Sequence, residues 1–283
     1  LDKLLDQAIP HVTFTGGEAT LRDDLVELVR YSEDIGIIAG LVTNGRLLTQ
    51  KLVDELVDAG LDYVQITLES HLPEIHDKMV GVKGAWKETV AGLERFIATD
   101  IFTLTNTTLT QLNRPTILDT IKFLAEKGQT HFAMNGLIYS GSGLDVVDEY
   151  AIAEEDLNDI ITDVLVVASE NDMRIIWYSP TQYCYFDPTD YGLGPRRCSA
   201  AFSSLAIEPN GDVLPCQSYF EVMGNILKDS WATIWNHRIA KALRSRKSLD
   251  KECQTCKLLQ ICGGGCPLFS QYKQVCCHHS IGS

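Results

Sequence analysis

The residues best equipped for chemistry are nine cysteines, at positions 184, 198, 216, 253, 256, 262, 266, 276 and 277, with none before Cys184. Thiols gathered at one end of an otherwise core-forming chain suit metal ligation better than a disulfide framework, which would spread cysteines through a short secreted domain. Cys253-x2-Cys256-x5-Cys262-x3-Cys266 forms one run, and Cys198 and Cys216 flank a stretch, Leu205 to Pro215, that reads as a β-hairpin turning at Asn210-Gly211. A hairpin brings its flanking thiolates together. Four soft thiolates suit zinc or an iron–sulfur cluster. Structural zinc favours paired CxxC knuckles, a spacing this run does not have. Gly263, Gly264 and Gly265 allow the backbone to wrap a bulkier group and offer it amide donors, which favours clusters.

A second set of candidates lies in the cysteine-free part. Thr15-Gly16-Gly17-Glu18, Thr43-Asn44-Gly45, Thr67-Leu68-Glu69-Ser70, Thr105-Asn106-Thr107-Thr108 and Asn135-Gly136 each follow or close a β-branched run. Small and polar residues at successive strand ends are where parallel α/β folds place ligands. Paired glycines open backbone carbonyls, and an adjacent carboxylate completes a set of acceptors for an ammonium group.

The elements that must position these residues alternate. Strands are expected at 11–15, 37–43, 63–68, 102–107, 131–138 and 174–178, and helices at 86–98, 115–126 and 154–170, with Leu25, Leu28 and Val29 and then Leu52, Val53, Leu56 and Val57 forming earlier apolar helix faces. Thr20 and Asp23 resemble a capping box. Alternating strands and helices give an α/β fold with a parallel sheet.

Composition narrows the partners. In 283 residues, 38 acidic against 24 basic side chains give a net charge of −14, the wrong sign for a phosphate backbone or an anionic membrane. Neither nucleic acid nor a membrane is expected: no apolar stretch reaches a spanning length, and LDKLLDQAIP lacks the basic and apolar regions of a secretion signal. A hydrophobic content of 45% is ample for a core.

With Gly16-Gly17-Glu18, the Glu74-Ile75-His76-Asp77 to Gly81 loop and the terminal cysteine spacing, the chain resembles a radical S-adenosylmethionine (SAM) enzyme with a C-terminal SPASM domain, over nearly its whole length. The resemblance implies a partial (β/α)6 TIM-like barrel lacking its first strand over 1–180 and a small cysteine-rich domain over 181–283. It implies two auxiliary [4Fe-4S] clusters. Cys198, Cys216 and Cys266 would ligate the first, with Cys184 as candidate fourth ligand; Cys253, Cys256, Cys262 and either Cys276 or Cys277 would ligate the second. Gly16, Gly17 and Glu18 would hold the methionyl ammonium of SAM. Asn44, Thr67, Glu69 and Asn106 are candidates for ribose and carboxylate contacts, and Asn135 and Ile138 for the adenine side.

Three departures stand out. Ala19 occupies the usual proline position, and Glu69-Ser70 replaces the more usual Asp-Gly. The family's CxxxCxxC, which holds the catalytic cluster, is absent, and the expectation is a start truncated by a strand, its loop and part of a helix. The implied reaction reduces SAM to a 5′-deoxyadenosyl radical that abstracts a substrate hydrogen. The implied partners are a peptide, protein or peptide-derived substrate and a low-potential electron donor such as flavodoxin or ferredoxin, in a reducing cytoplasm. No side chain identifies itself as a catalytic acid or base. The alternative is a non-catalytic iron–sulfur carrier or binding scaffold.

Other conspicuous residues have plainer readings. His76 either orders a loop with Asp77 or satisfies local backbone. Trp231 and Trp235 share a helix face, Gly141-Ser142-Gly143 is a loop, and Lys241 to Lys247 is a solvated basic helix with docking as the alternative. His278 and His279 read as a tail.

Overall fold

The computed structural model describes residues 1–247 and 249–269. Cys276, Cys277, His278 and His279 lie outside the described residues. The chain divides into two compact units, one of Leu1–Asn135 with Thr162–Ile176, the other of Gly136–Ile161 and the chain from Trp177 on.

The first unit begins with a short helix α1 (Asp2–Leu5), then alternates β1 (His11–Phe14), α2 (Leu25–Asp34), β2 (Ile38–Thr43), α3 (Gln50–Asp58), β3 (Tyr63–Thr67), α4 (Pro73–Val80), α5 (Ala85–Ile97), β4 (Phe102–Leu109), α6 (Ile117–Glu126) and β5 (His131–Gly136). The chain continues through α7 (Gly143–Tyr150), α8 (Leu157–Glu170) and β6 (Arg174–Trp177). The strands form one sheet in sequence order, β1-β2-β3-β4-β5-β6, and the first four pair in parallel. Sequential order with a helix between neighbours is the (β/α) arrangement of the TIM-like class.

Alternation along β3 shows how the sheet serves a site. Val64 and Ile66 are fully buried, whereas Tyr63, Gln65 and Thr67 are only half-buried. One face therefore packs apolar residues, including Val53 and Leu56 of α3 and Leu93 and Phe96 of α5, while the other keeps polar side chains for a ligand. Thr49 caps α3 by accepting from the Leu52 N–H at 3.2 Å.

The expected capping box at Thr20 and Asp23 is not what forms. Residues 19–21 make a 3-10 turn whose cap is Glu18, the Thr20 hydroxyl donates to that carboxylate, and α2 starts at Leu25. A nearby carboxylate outcompetes the local threonine-to-backbone bond because a charge-assisted bond is stronger. The strand expected at 102–107 runs on to Leu109, since Thr108 N–H finds an acceptor in Glu69 at 2.8 Å.

In the second unit, β7 (Ala206–Ile207) and β8 (Asp212–Leu214) form the expected antiparallel hairpin, joined by β9 (Gly224–Asn225). Gly211 donates to the Glu208 carbonyl at 2.8 Å with φ of 89°, the three-residue loop whose last position favours glycine. Helices α9 (Trp231–Trp235), α10 (Arg238–Ser245), α11 (Lys251–Thr255) and α12 (Leu259–Cys262) follow. Ala201, Val213, Met223, Ile234, Ile239 and Ala240 make the core of this unit. The rings of Trp231 and Trp235 stack at 6.2 Å, as helical spacing predicts. The basic run is only partly solvated, contrary to expectation: Arg244 lies over Trp235 and donates to the Ala201 carbonyl at 2.8 Å, and Arg246 is buried and donates to the Cys198 carbonyl at 3.1 Å. Guanidinium forks satisfy carbonyls that lysine ammoniums would leave to water.

Candidate functional site

At the C-terminal end of the sheet, Glu18 joins two strand ends. Its Oε1 accepts from Thr20 N–H at 3.0 Å, the Thr20 hydroxyl at 2.6 Å and the Thr43 hydroxyl at 2.6 Å, and its Oε2 accepts from Asn44 N–H at 2.8 Å. The Asn44 side chain is engaged too, accepting from Arg46 N–H at 3.0 Å. Gly16 and Gly17 are exposed, and a Cβ at either would meet nothing within 4 Å. Gly16 has φ of 125°, which favours glycine. The Gly16-Gly17 backbone therefore borders open space, held in place by the carboxylate that follows it.

Further along the strand ends, Thr67 pairs with Asn106 in the ladder, and Asn106 Nδ2 donates to Asn135 Oδ1 at 2.8 Å. Asn106 Oδ1 and Thr105 Oγ1 are buried with no hydrogen-bond partner in the protein. An unmet acceptor such as Asn106 Oδ1 is costly, and a ligand hydroxyl or amine would satisfy it, whereas Thr105, one residue back and in register with Ile66, faces the apolar side of the sheet. Asn106 Oδ1 thus fits a ligand that carries a hydroxyl or amine donor. Ile138 lies in the second unit and is 39% exposed.

Glu69 is buried, and desolvation pushes its carboxyl up to about 7 even though Oε2 accepts from Thr108 N–H at 2.8 Å. Three neighbours that the strand-end reading did not single out fix its backbone and loop. His76 Nδ1 accepts from Glu69 N–H at 3.1 Å, and burial holds that imidazole down to about 4, neutral at physiological pH. Asn113 Nδ2 donates to the Glu69 carbonyl at 2.8 Å and to the Thr108 carbonyl at 3.0 Å, while its Oδ1 accepts from Thr110 N–H at 2.8 Å. Asp77 accepts from Gly84 N–H at 2.5 Å and Trp86 N–H at 2.8 Å, bonds that lower its pKa and start α5. Of the two readings of His76, the structure has it satisfying local backbone. Asn113 leaves no sequence signal beyond a lone loop asparagine.

The thiols show a recurrent local geometry. Cys216 sulfur accepts from the backbone of Ser218 and Tyr219, Cys266 from Leu268 and Phe269, and Cys256 from Leu258 N–H at 3.4 Å. Each sulfur thus faces amides two or three residues onward, donors that favour a thiolate and tune a cluster. Cys262 accepts from Tyr183 N–H at 3.4 Å. Cys198, Cys216 and Cys266, from three separate stretches, lie close enough to raise one another's thiolate energy, and burial with these neighbours pushes Cys266 up to about 11. Among the described residues no three His, Cys, Asp or Glu side chains converge on a single metal ion.

Gly263, Gly264 and Gly265 follow Cys262 with φ of 68°, 77° and 76°. Their backbones are pressed by Arg197, Leu249 and Gln182, with a built Cβ at 2.8, 2.7 and 3.0 Å from them. Only glycine meets both demands. Cys184 and Cys256 are exposed, and Cys253 is half-buried. The donor set, soft sulfurs with amides aimed at them, fits an iron–sulfur group.

A parallel sheet with polar strand ends, in a chain whose second unit is rich in thiols, is the architecture of a cofactor-binding α/β protein. Residues 1–124 match the Radical SAM superfamily and residues 198–257 match SPASM, the iron-sulfur cluster-binding domain. Two separate parts of the chain, one in each half, thus match domain models that resemble radical SAM and SPASM proteins.

An AdoMet-dependent heme synthase from Methanosarcina barkeri is 25% identical over 279 residues, covering 93% of this chain and 79% of the relative. A PqqA peptide cyclase from Bradyrhizobium diazoefficiens is 26% identical over 274 residues, covering 94% and 70%. Among solved structures, anSMEcpe with bound AdoMet aligns with a TM-score of 0.69 at 19% identity, covering 94% of this chain and 77% of that one. SuiB from Streptococcus suis, bound to precursor peptide SuiA, aligns with a TM-score of 0.77 at 18% identity, covering 95% and 63%. These structures share the fold. Among the described residues no helix is long and apolar enough to cross a membrane.

Proposed function

We propose that the chain belongs to an enzyme that abstracts hydrogen from a peptide, a protein side chain or a peptide-derived cofactor precursor, with a SAM-binding domain over 1–180 and a cluster domain over 181–283. The observation that carries this reading is the repeated placement of backbone amides against Cys216, Cys256 and Cys266. The peptide cyclase among the relatives and the peptide-bound SuiB structure support a peptide-class substrate.

Reductive cleavage of bound SAM supplies a 5′-deoxyadenosyl radical, which the protein must aim and shield from water. In this reading the Gly16 and Gly17 carbonyls accept from the methionyl ammonium. Glu18 holds them in place through Thr43 and Asn44 and offers its remaining capacity on Oε2. Thr67, Glu69 and Asn106 face the ribose and carboxylate, with Asn106 Oδ1 accepting a hydroxyl; Asn44 takes part through its backbone-locked position. Asn135 borders the adenine. Glu69, with a pKa of about 7, donates or accepts at its carboxyl according to pH.

Two auxiliary [4Fe-4S] clusters would take up or relay the electron left on the substrate. Cys198, Cys216, Cys266 and Cys184 would hold one, and Cys253, Cys256, Cys262 and Cys276 or Cys277 the other. A flavodoxin or ferredoxin would serve as the low-potential donor in a reducing cytoplasm. The test is iron and sulfide counting on anaerobically prepared protein, followed by assay of the natural gene product for 5′-deoxyadenosine. Stoichiometric zinc in place of iron overturns the cluster reading, and clusters without 5′-deoxyadenosine would leave a non-catalytic carrier.

A further inference from the structure

The second unit holds a cavity of about 350 Å³ whose walls come from three separate stretches of chain. Tyr139, Ser140 and Leu144 supply one wall, residues 218–221 a second and Leu268 the third. Two contacts tie these stretches together: the Ser140 hydroxyl donates to the Ser218 carbonyl at 2.6 Å, and the ring of Tyr139 meets that of Phe269 edge-on at 4.9 Å. The cavity is therefore built before a ligand arrives, which lowers the ordering cost of binding.

Its chemistry is one-sided. Aromatic and aliphatic side chains dominate the lining, and two of them meet solvent, Phe220 at 66% and Leu144 at 43% exposure. Among the described residues that line it, Glu221 alone is charged, and it is exposed. The stretches that carry the walls, 136–161, 215–223 and 262–269, contain eight Asp or Glu and no Lys or Arg. Exposed Asp145 directly follows Leu144 on α7. The same walls serve the thiols: Ser218 and Tyr219 direct backbone amides at the Cys216 sulfur, and Leu268 directs one at Cys266. A side chain seated in the cavity thus lies against the backbone that holds two proposed ligands of the first cluster.

We propose that this cavity is a substrate subsite that takes an aromatic side chain flanked in sequence by lysine or arginine, the ring held at Phe220 and Leu144 and the cation at Glu221. The subsite rests on the peptide-substrate reading given under Proposed function and deepens it, because the residue bound here anchors the substrate. Tyr139, Tyr219 and Phe220 offer ring faces and edges, which an aromatic guest uses better than an aliphatic one. Glu221, in surroundings without a lysine or arginine of their own, selects a cationic neighbour over an anionic one.

The experiment is anaerobic fluorescence anisotropy on iron-loaded protein with three labelled pentapeptides, Gly-Lys-Phe-Lys-Gly, Gly-Glu-Phe-Glu-Gly and Gly-Lys-Gly-Lys-Gly. The first is expected to bind about tenfold more tightly than either of the others. Phe220→Ala should remove the advantage of phenylalanine over glycine. Glu221→Lys should cut the preference for the lysine peptide over the glutamate peptide about tenfold at low salt, an effect that fades at high ionic strength. Both side chains are exposed, so Tm and iron content stay as in the wild type. Equal affinity for the three peptides, or wild-type selectivity in both variants, overturns the subsite alone. Dimerisation that Phe220→Ala abolishes, in protein that binds none of the peptides, assigns the cavity to a second copy of the chain and overturns it too. Stoichiometric zinc in place of iron in the wild type overturns the enzyme reading, and the cavity as a substrate site with it.

Discussion

The backbone N–H of Glu69 donates to Nδ1 of His76 across 3.1 Å. One short loop therefore links a carboxyl whose burial raises its pKa to about 7 and an imidazole whose burial lowers its pKa to about 4. At neutral pH the histidine is the uncharged acceptor that this bond requires, so the strand end after β3 is organised by a residue seven positions further along.

Replacing His76 with leucine removes that acceptor and strands a buried N–H, at a cost of about 1–3 kcal/mol. The expected drop in Tm is on the order of 3–10 °C for a chain of this size, read by thermal unfolding. A depressed folded-state pKa gives stability that is present above the ordinary histidine value of 6.5 and lost as pH falls through about 4. The wild type should lose stability across that window, and His76→Leu should not show this component.

Glu69 has the opposite sign. Its raised pKa means that the stability of the protonated form is fully present below the ordinary value of 4.5 and is lost as pH rises through about 7. Glu69→Gln should flatten unfolding profiles over that range while keeping a similar volume. SAM affinity measured by equilibrium dialysis should become less dependent on pH in the same variant. A slope identical to the wild type would show that Glu69 is not the titrating group.

Asn113→Ala is expected to destabilise the loop after β4 by on the order of 3 kcal/mol, since the Glu69 and Thr108 carbonyls and the Thr110 N–H lose a common partner. Thermal unfolding and SAM binding should fall together. Asn113→Asp retains the acceptor for Thr110 but not the two donors, and should recover only part of the loss.

Gly264→Ala places a methyl 2.7 Å from Leu249 Cδ1 in a backbone with φ of 77°. Left-handed strain and overpacking together cost about 2–4 kcal/mol. Iron per chain should drop after anaerobic reconstitution, because the turn carries Cys262 into Cys266. Full iron content with an unchanged Tm would show that the turn tolerates a side chain.

Much of this architecture could be read from the chain alone, because strand and helix periods and metal-ligand spacing are local properties. The β-branched runs marked all six strands to within a residue or two at most ends, Asn210-Gly211 marked the hairpin, and the glycine run beside Cys262 marked a special backbone. What local pattern could not carry was competition between distant partners. Packing decided that Glu18 would clamp Thr43 and Asn44, that Arg244 and Arg246 would turn inward from a basic run, and that Cys198, Cys216 and Cys266 would share one field. Each outcome depends on which groups are taken out of water together, and desolvation is a property of the assembled interior.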